Sequence, residues 1–319
     1  MKLDSLVERP APQPQRDHHV KEDEFLNQLI EAGLLLPSGV RGVYGRNATF
    51  ELIVRGFGSI ITKIAKDDGA EFVDFPPLVT RGNFEKTDYA RSFPHLMGSI
   101  HSFFGDDARH EAMLETLAAG GDWSTHLGKS DLMLCPAACY PLYPTLRGTL
   151  PEAGRLVDLM GFVFRHEPSD DPARMQMFRQ RENIRIGSED DVREFRDRWL
   201  ERGQAVLASI GLDAQAEVAN DPFFGQSGRM LSVSQRAQAL KFELLYPIHS
   251  AEAPTALSSC NYHQDHFGRA YDIRLPDGSF AHTACVGFGV ERVALALLKT
   301  HGLSPVRWPV SVRTALGLD

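Results

Sequence analysis

Near the C-terminal end the chain reads Gly287-Phe288-Gly289-Val290-Glu291-Arg292 and then continues into the apolar stretch Val293 to Leu298. No other feature constrains the fold as tightly. Glycine has no side chain to pack, so within a strand it marks a place where backbone crowds a ligand or another segment. The run therefore predicts a strand that leaves its sheet, opens a helix and turns Arg292 toward the space above the glycines. A second charged run, Phe164-Arg165-His166-Glu167, lies upstream and is followed by Arg174-Met175-Gln176-Met177-Phe178.

The rest of the chain supplies enough apolar residues to bury such a strand. With 319 residues and 43% hydrophobic content it suits a soluble globular protein of one or two domains. It contains no continuous apolar run long enough to span a bilayer, and no signal-peptide pattern at the N-terminus. The four cysteines, Cys135, Cys139, Cys260 and Cys285, are too few for a disulfide framework and suit reduced thiols in the cytoplasm. A net charge of -8 argues against broad binding to polyanions, although a local basic patch can coexist with it.

Residues 1–20, with Pro10, Pro12, Pro14 and the His18-His19 pair, lack apolar periodicity and read as a disordered tail. Residues 21–319 read as a single domain. Apolar spacing predicts helices over Lys21 to Ala32, stopped by Gly33, and over Thr49 to Lys66. A strand over Glu71 to Leu78 is interrupted by Pro76-Pro77, which places it at an edge or an interface. Val192, Phe195, Trp199 and Val206 mark a further helix, whose Arg193, Arg196, Arg198 and Arg202 alternate with acids as on a solvated face. A helix over about Leu231 to Lys241 follows. Strands are expected at Phe242 to Tyr246, Thr255 to Cys260, Ala270 to Ile273 and His282 to Gly287. Helices interrupting late antiparallel strands indicate an α+β fold.

The Gly287 and Phe164 runs resemble motifs 3 and 2 of the class II aminoacyl-tRNA synthetases. The helix and proline-broken strand at positions 49 to 78 resemble motif 1, which builds the homodimer interface in that family. The resemblance implies an antiparallel sheet flanked by helices and the formation of an aminoacyl-adenylate from ATP, with Mg2+ carried by the phosphates. On it, Arg165 holds the substrate carboxylate and the α-phosphate, and Arg292 compensates the γ-phosphate. Glu167 accepts from the adenine amino group, Phe178 stacks on the ring, and Arg174 joins the ATP site.

The stretch Ser258-Ser259-Cys260-Asn261-Tyr262-His263 resembles an active-site strand of seryl-tRNA synthetases, with Thr255 where those proteins carry a glutamate. Cys135, Glu182 and Cys285 resemble the Cys, Glu, Cys zinc ligands of the atypical methanogen seryl-tRNA synthetases. That implies one Zn2+ per subunit with a position open for the substrate amino group. Cys139 competes with Cys135 for the first ligand position, and buried thiols beside a paired glutamate remain the plainer reading of the residues alone.

Fewer than fifty residues precede the motif 1 helix, leaving no room for a tRNA-binding hairpin. The architecture therefore resembles the bacterial amino acid:carrier protein ligases, which load a small amino acid, glycine or alanine, onto a phosphopantetheine thiol. In that reading residues 221–241 form a carrier-docking insertion through Phe223, Phe224, Arg229 and Arg236, with Lys241 adding charge; a solvated helix covering the sheet is the alternative. Two other functions fit the motifs, a minimal seryl-tRNA synthetase-like enzyme and a non-catalytic amino acid sensor. Retention of both Arg165 and Arg292 favours an enzyme.

Overall fold

The computed structural model describes residues 24–219, 221 and 238–319, so the N-terminal tail, Phe223, Phe224, Arg229 and Arg236 lie outside the described residues. Helix α1 (Glu24–Glu31) buries Phe25, Leu26 and Leu29. The chain leaves it through Gly33 at φ +67° and forms the hairpin of β1 (Leu35–Pro37) and β2 (Tyr44–Arg46). Asn47 then caps α2 (Ala48–Asp67) by accepting from the Phe50 amide. Gly69, at φ +78°, ends that helix in the left-handed region, and the Ala70 amide returns to the Ala65 carbonyl at 2.9 Å.

Pro76-Pro77 splits the expected strand into two pieces that join different sheets. The first, β3 (Glu71–Val73), is the edge strand of the main sheet; the second, β4 (Leu78–Thr80), belongs to a three-stranded sheet with β5 and β6. After them in the chain come α3 (Arg81–Glu85), α4 (Tyr89–Ser92), β5 (Ser99–Phe103), α5 (Asp107–Ala118), β6 (Leu127–Leu134) and β7 (Gly148–Thr149). The long hairpin of β8 (Arg155–Phe164) and β9 (Met177–Gly187) leads into α6 (Glu189–Ser209) and β10 (Gln215–Val218). Then follow β11 (Lys241–Tyr246), β12 (Thr255–Tyr262), α7 (His266–Tyr271), β13 (Ile273–Arg274), β14 (His282–Gly289), α8 (Val290–His301) and α9 (Val310–Leu316).

Among the described residues the main sheet has the order β10-β11-β12-β14-β9-β8-β3, antiparallel except where β3 runs parallel to β8. Alternation along the strands divides it into two unlike faces. One face buries Leu244, Cys260, Val286 and Phe288 under α2, α6 and α8. There Phe288 meets Phe57 and Trp199 edge-on at 5.4 and 6.4 Å. Among the described residues the other face is covered in part, by residues 135–150 and α7, and the remainder holds the site.

Two expected elements differ. The strand placed over Ala270 to Ile273 is instead the end of α7 followed by the two-residue β13. Phe267 and Tyr271, one helical turn apart, both stack on the buried Tyr143 ring, so tertiary packing outweighs the strand preference of that stretch. Lys241, expected at the end of a helix, begins β11. No described helix is long and apolar enough to cross a membrane.

Behind the site, four charged side chains tie four elements together, β2, α2, β9 and α8. Arg179 on β9 donates to Glu51 of α2 through two 2.8 Å contacts and to Glu291 of α8 at 2.8 Å. Glu291, only 2% exposed, also accepts the Arg179 amide and pairs with Arg46 at 3.2 Å. The acid of the Gly287–Arg292 run is therefore structural, and its charge is matched from two sides.

Candidate active site

The partly covered face of the sheet carries a grid of polar side chains. Cross-strand pairing puts Cys285 opposite Asn261, and Asn261 opposite Lys241. In the adjoining row Gly287 lies between Glu182 and Ser259, and Ser259 faces Glu243. The two glycines of the C-terminal run leave this floor open: a Cβ on Gly287 would meet the Glu182 side chain at 3.4 Å, and one on Gly289 the Arg292 side chain at 3.4 Å. Above the floor lies a cavity of about 250 Å³.

Arg165, Phe178 and Arg292 are among the residues that line it. Arg165 leaves β8 with its amide bonded to the Gln176 carbonyl and its guanidinium carbon 5.5 Å from the centre of the Phe178 ring. Arg292 is held by the Ala173 and Ala256 carbonyls at 2.8 and 3.0 Å. Burial, followed by the neighbouring charges of Arg165 and Arg174, lowers its pKa to about 10, which leaves it cationic at neutral pH. Two fixed cations and an aromatic face in one cavity suit a polyphosphate carrying a planar base.

Glu167 and Arg174 stand apart from these three. β8 ends at Phe164, and the Glu167 amide turns back onto the Arg165 carbonyl at 2.8 Å, so strand alternation no longer places Glu167 beside Arg165. Instead Glu167 pairs with Arg174 at 2.6 Å, and both are exposed (40% and 53%) outside the cavity lining.

Cys139, Glu182 and Cys285, which also line the cavity, converge with ligand atoms all within 4.8 Å of one another. The structure corrects the sequence reading at one position: Cys139, not Cys135, completes this cluster. Cys135 turns away, donates to the Ala137 carbonyl at 2.9 Å and packs with Val79, Phe84 and Tyr89. Burial pushes its thiol up to about 12. Residues 135–139 bend tightly enough to aim the two thiols in different directions, a conformation that spacing could not show. Glu182 lies in the middle of β9 rather than at its end, fully enclosed. Burial and then the Cys285 charge push its carboxyl up to about 8. One of its oxygens accepts the Ala138 amide at 3.1 Å; the other is buried without a hydrogen-bond partner. The hydrogen bond between the cysteines drives Cys285 toward the thiolate and holds Cys139 as the thiol.

Lys241 is corrected as well. It does not contribute charge to a surface helix but is buried beside the cavity, 2.6 Å from Asp221 and 2.9 Å from Glu243. The alternation of β11 that would have revealed this is short, and the preceding residues looked helical. The arginines of α6 mostly behave as expected, Arg193 and Arg198 pairing one turn back with Glu189 and Glu194. Arg196 differs in being buried against the Ala239 carbonyl.

An antiparallel sheet with a cavity on one face, lined by an arginine from each of two sequence runs, defines a class II synthetase-like domain. Solved structures show the same fold. The chain aligns with Methanopyrus kandleri seryl-tRNA synthetase, determined with an Aquifex aeolicus tRNA, at TM-score 0.80 and 20% identity over 98% of this chain and 63% of that one. With the ATP complex of Pyrococcus horikoshii seryl-tRNA synthetase the TM-score is 0.67, over 92% of this chain and 62% of that one. The chain thus spans just under two thirds of those synthetases.

Sequence relatives narrow the class. Amino acid–[acyl-carrier-protein] ligase 1 of Bradyrhizobium diazoefficiens is 46% identical over 283 residues, 88% of this chain and 86% of its own. Ligase 2 of the same organism is 43% identical over 316 residues, 98% and 92% of the two chains. The type-2 serine–tRNA ligase of M. kandleri is 26% identical over 82% of this chain and 53% of its own. No protein-family model matches the chain. The chain belongs to the amino acid–[acyl-carrier-protein] ligase family.

Proposed function

We propose that this protein activates a small amino acid with ATP, forming an aminoacyl-adenylate, and transfers the aminoacyl group to the phosphopantetheine thiol of a carrier protein. The observation that carries this reading is the cavity itself. It is lined by a cationic, aromatic group, Arg165, Phe178 and Arg292, and by a second group, Cys139, Glu182 and Cys285, whose donor atoms could hold a metal for an amine.

The donor set of the second group fits zinc. Two sulfurs and one carboxylate suit this borderline-soft ion, and the unpartnered Glu182 oxygen is a buried acceptor that a cation would satisfy. When bound, zinc supplies a Lewis-acidic position for an uncharged α-amino group. The protein's own groups do the rest. Arg165 aligns the substrate carboxylate with the α-phosphate, so that oxygen attacks phosphorus and pyrophosphate leaves. Arg292 offsets the charge that moves onto the leaving group, and Mg2+ accompanies the ATP. Transfer needs no cysteine of the enzyme, because the carrier's thiol attacks the activated carbonyl and AMP departs with the bonding pair. In this reading the amino acid is glycine or alanine.

Glu167 and Arg174, as an exposed pair at the rim, are retained as ATP contacts that rearrange on binding. Residues 221–241, with Phe223, Phe224, Arg229 and Arg236, are retained as the carrier-docking segment. The motif 1 elements α2 and β3 form a homodimer interface in this reading, supported by the exposed Leu52 and Phe72 they carry.

Pyrophosphate exchange measured with each amino acid, followed by transfer assays with pantetheinylated carrier and with tRNA, tests the proposal. Exchange with a small amino acid and transfer to the carrier alone is the expected result. Transfer to tRNA would establish a minimal synthetase instead, and no exchange with any amino acid would establish a sensor.

A further inference from the structure

The Ser258 to His263 stretch contributes two side chains that the mechanism above does not use. Asn261 lies directly across from Cys285 in the β12–β14 ladder, and its Nδ2 donates to the Cys285 sulfur at 3.5 Å. The same nitrogen is steadied by Ser259 Oγ at 3.2 Å. His263, just beyond the strand, brings Nε2 to 3.7 Å from that sulfur. Its ring is fixed on three sides. The His263 amide bonds the Thr283 carbonyl at 2.9 Å, Nδ1 lies 3.0 Å from the Thr283 hydroxyl, and the ring meets Phe267 edge-on at 5.1 Å. A Thr283 hydroxyl donating to Nδ1 leaves the ring proton on Nε2, the nitrogen facing sulfur.

We infer that Asn261 and His263 are positioning residues that aim Cys285 at the metal and set how much negative charge its sulfur places there. This rests on the zinc reading above and adds to it. The argument is electrostatic. Two thiolates and a carboxylate carry more negative charge than a divalent ion neutralises, and an over-neutralised ion is a poor acceptor for a neutral amine. Two N–H donors on one sulfur withdraw part of that charge while holding the side chain in a single orientation. Among the described residues no side-chain N–H donates to the neighbouring Cys139, so the two sulfurs have different surroundings.

The test uses the full-length protein. Zinc affinity is measured by competition with a chromophoric chelator for wild type, Asn261→Ala, His263→Ala and His263→Gln. Cobalt-substituted samples report thiolate ligation through their sulfur-to-metal charge-transfer band, and thermal melts report folding. Loss of partners that orient a metal ligand typically weakens metal affinity by about 10–100-fold. Each alanine variant is expected to show a loss of that size and an altered cobalt band, with a raised KM for the amino acid and an unchanged KM for ATP. His263→Gln, which can still present an N–H, is expected to recover most of the affinity. Zinc affinity within about threefold of wild type in both alanine variants, or a glutamine variant as weak as the alanine one, overturns the inference while leaving the zinc site standing. A wild-type protein that takes up no zinc overturns the zinc reading and this inference together.

Discussion

Burial does not distinguish Cys135 from Cys139, since they are only 1% and 4% exposed. Direction does. The Cys139 sulfur faces Glu182 and Cys285, whereas Cys135 is tied to its own loop through the Ala137 carbonyl. Cys139→Ala and Cys285→Ala are therefore expected to lose bound zinc and amino acid-dependent pyrophosphate exchange, and Cys135→Ala to retain both. Metal analysis of the purified variants decides this, and full zinc occupancy in Cys139→Ala would return the ligand role to Cys135. Arg165 and Arg292 are not part of the donor cluster, so Arg165→Ala and Arg292→Ala should keep zinc and the fold. Removing preorganised charge from a reacting group commonly costs about 10²–10³ in rate, and exchange assays should show a loss of that order. Near-normal exchange in either variant would mean the phosphates lie elsewhere.

At the scale of elements, α2 offers a pair of glycines that separate propensity from packing. Both lie inside the helix, where alanine is favoured over glycine by about 1 kcal/mol. A Cβ on Gly58 meets nothing within 4 Å, whereas one on Gly56 would lie 2.2 Å from the Leu316 carbonyl oxygen at the end of α9. Gly58→Ala should raise stability by up to about 1 kcal/mol, and Gly56→Ala should lower it because backbone must move. Urea titrations of the two variants that shift in the same direction would contradict this. The Arg179 junction between α2, β9 and α8 is a second test. Its side chain is 11% exposed and faces Glu291 at 2%. Arg179→Leu would leave that carboxylate buried with only Arg46 as a charged partner. Breaking a buried pair in this way typically costs about 3–5 kcal/mol. A loss below about 1 kcal/mol by denaturant titration would show that Arg46 suffices alone.

For the whole molecule, Phe72 on the edge strand β3 is 60% exposed and lies over the Arg181 guanidinium, whose buried partner is Asp158. An apolar edge beside a buried ion pair is the surface expected to pack against a second copy. Phe72→Asp should shift the protein toward monomer in sedimentation velocity, and an unchanged profile would count against an interface there. Much of the overall architecture was legible in the sequence because it rests on local rules. Apolar spacing located α2, α6 and α8, proline placed β3 at an edge, and the alternating glycines located the open floor of the cavity. The resemblance of three ordered runs supplied the fold, because their order carries more information than any one of them. What the sequence could not determine was direction. Whether Cys135 or Cys139 meets Glu182 depends on one tight bend; whether Lys241 is solvated or buried depends on a strand boundary. Whether Glu167 follows Arg165 into the cavity depends on where β8 ends. Each of these is decided by contacts between residues twenty or more apart or by a local break in strand alternation. Periodicity and spacing report which residues share an element, and only the packed structure decides which side chains share a space.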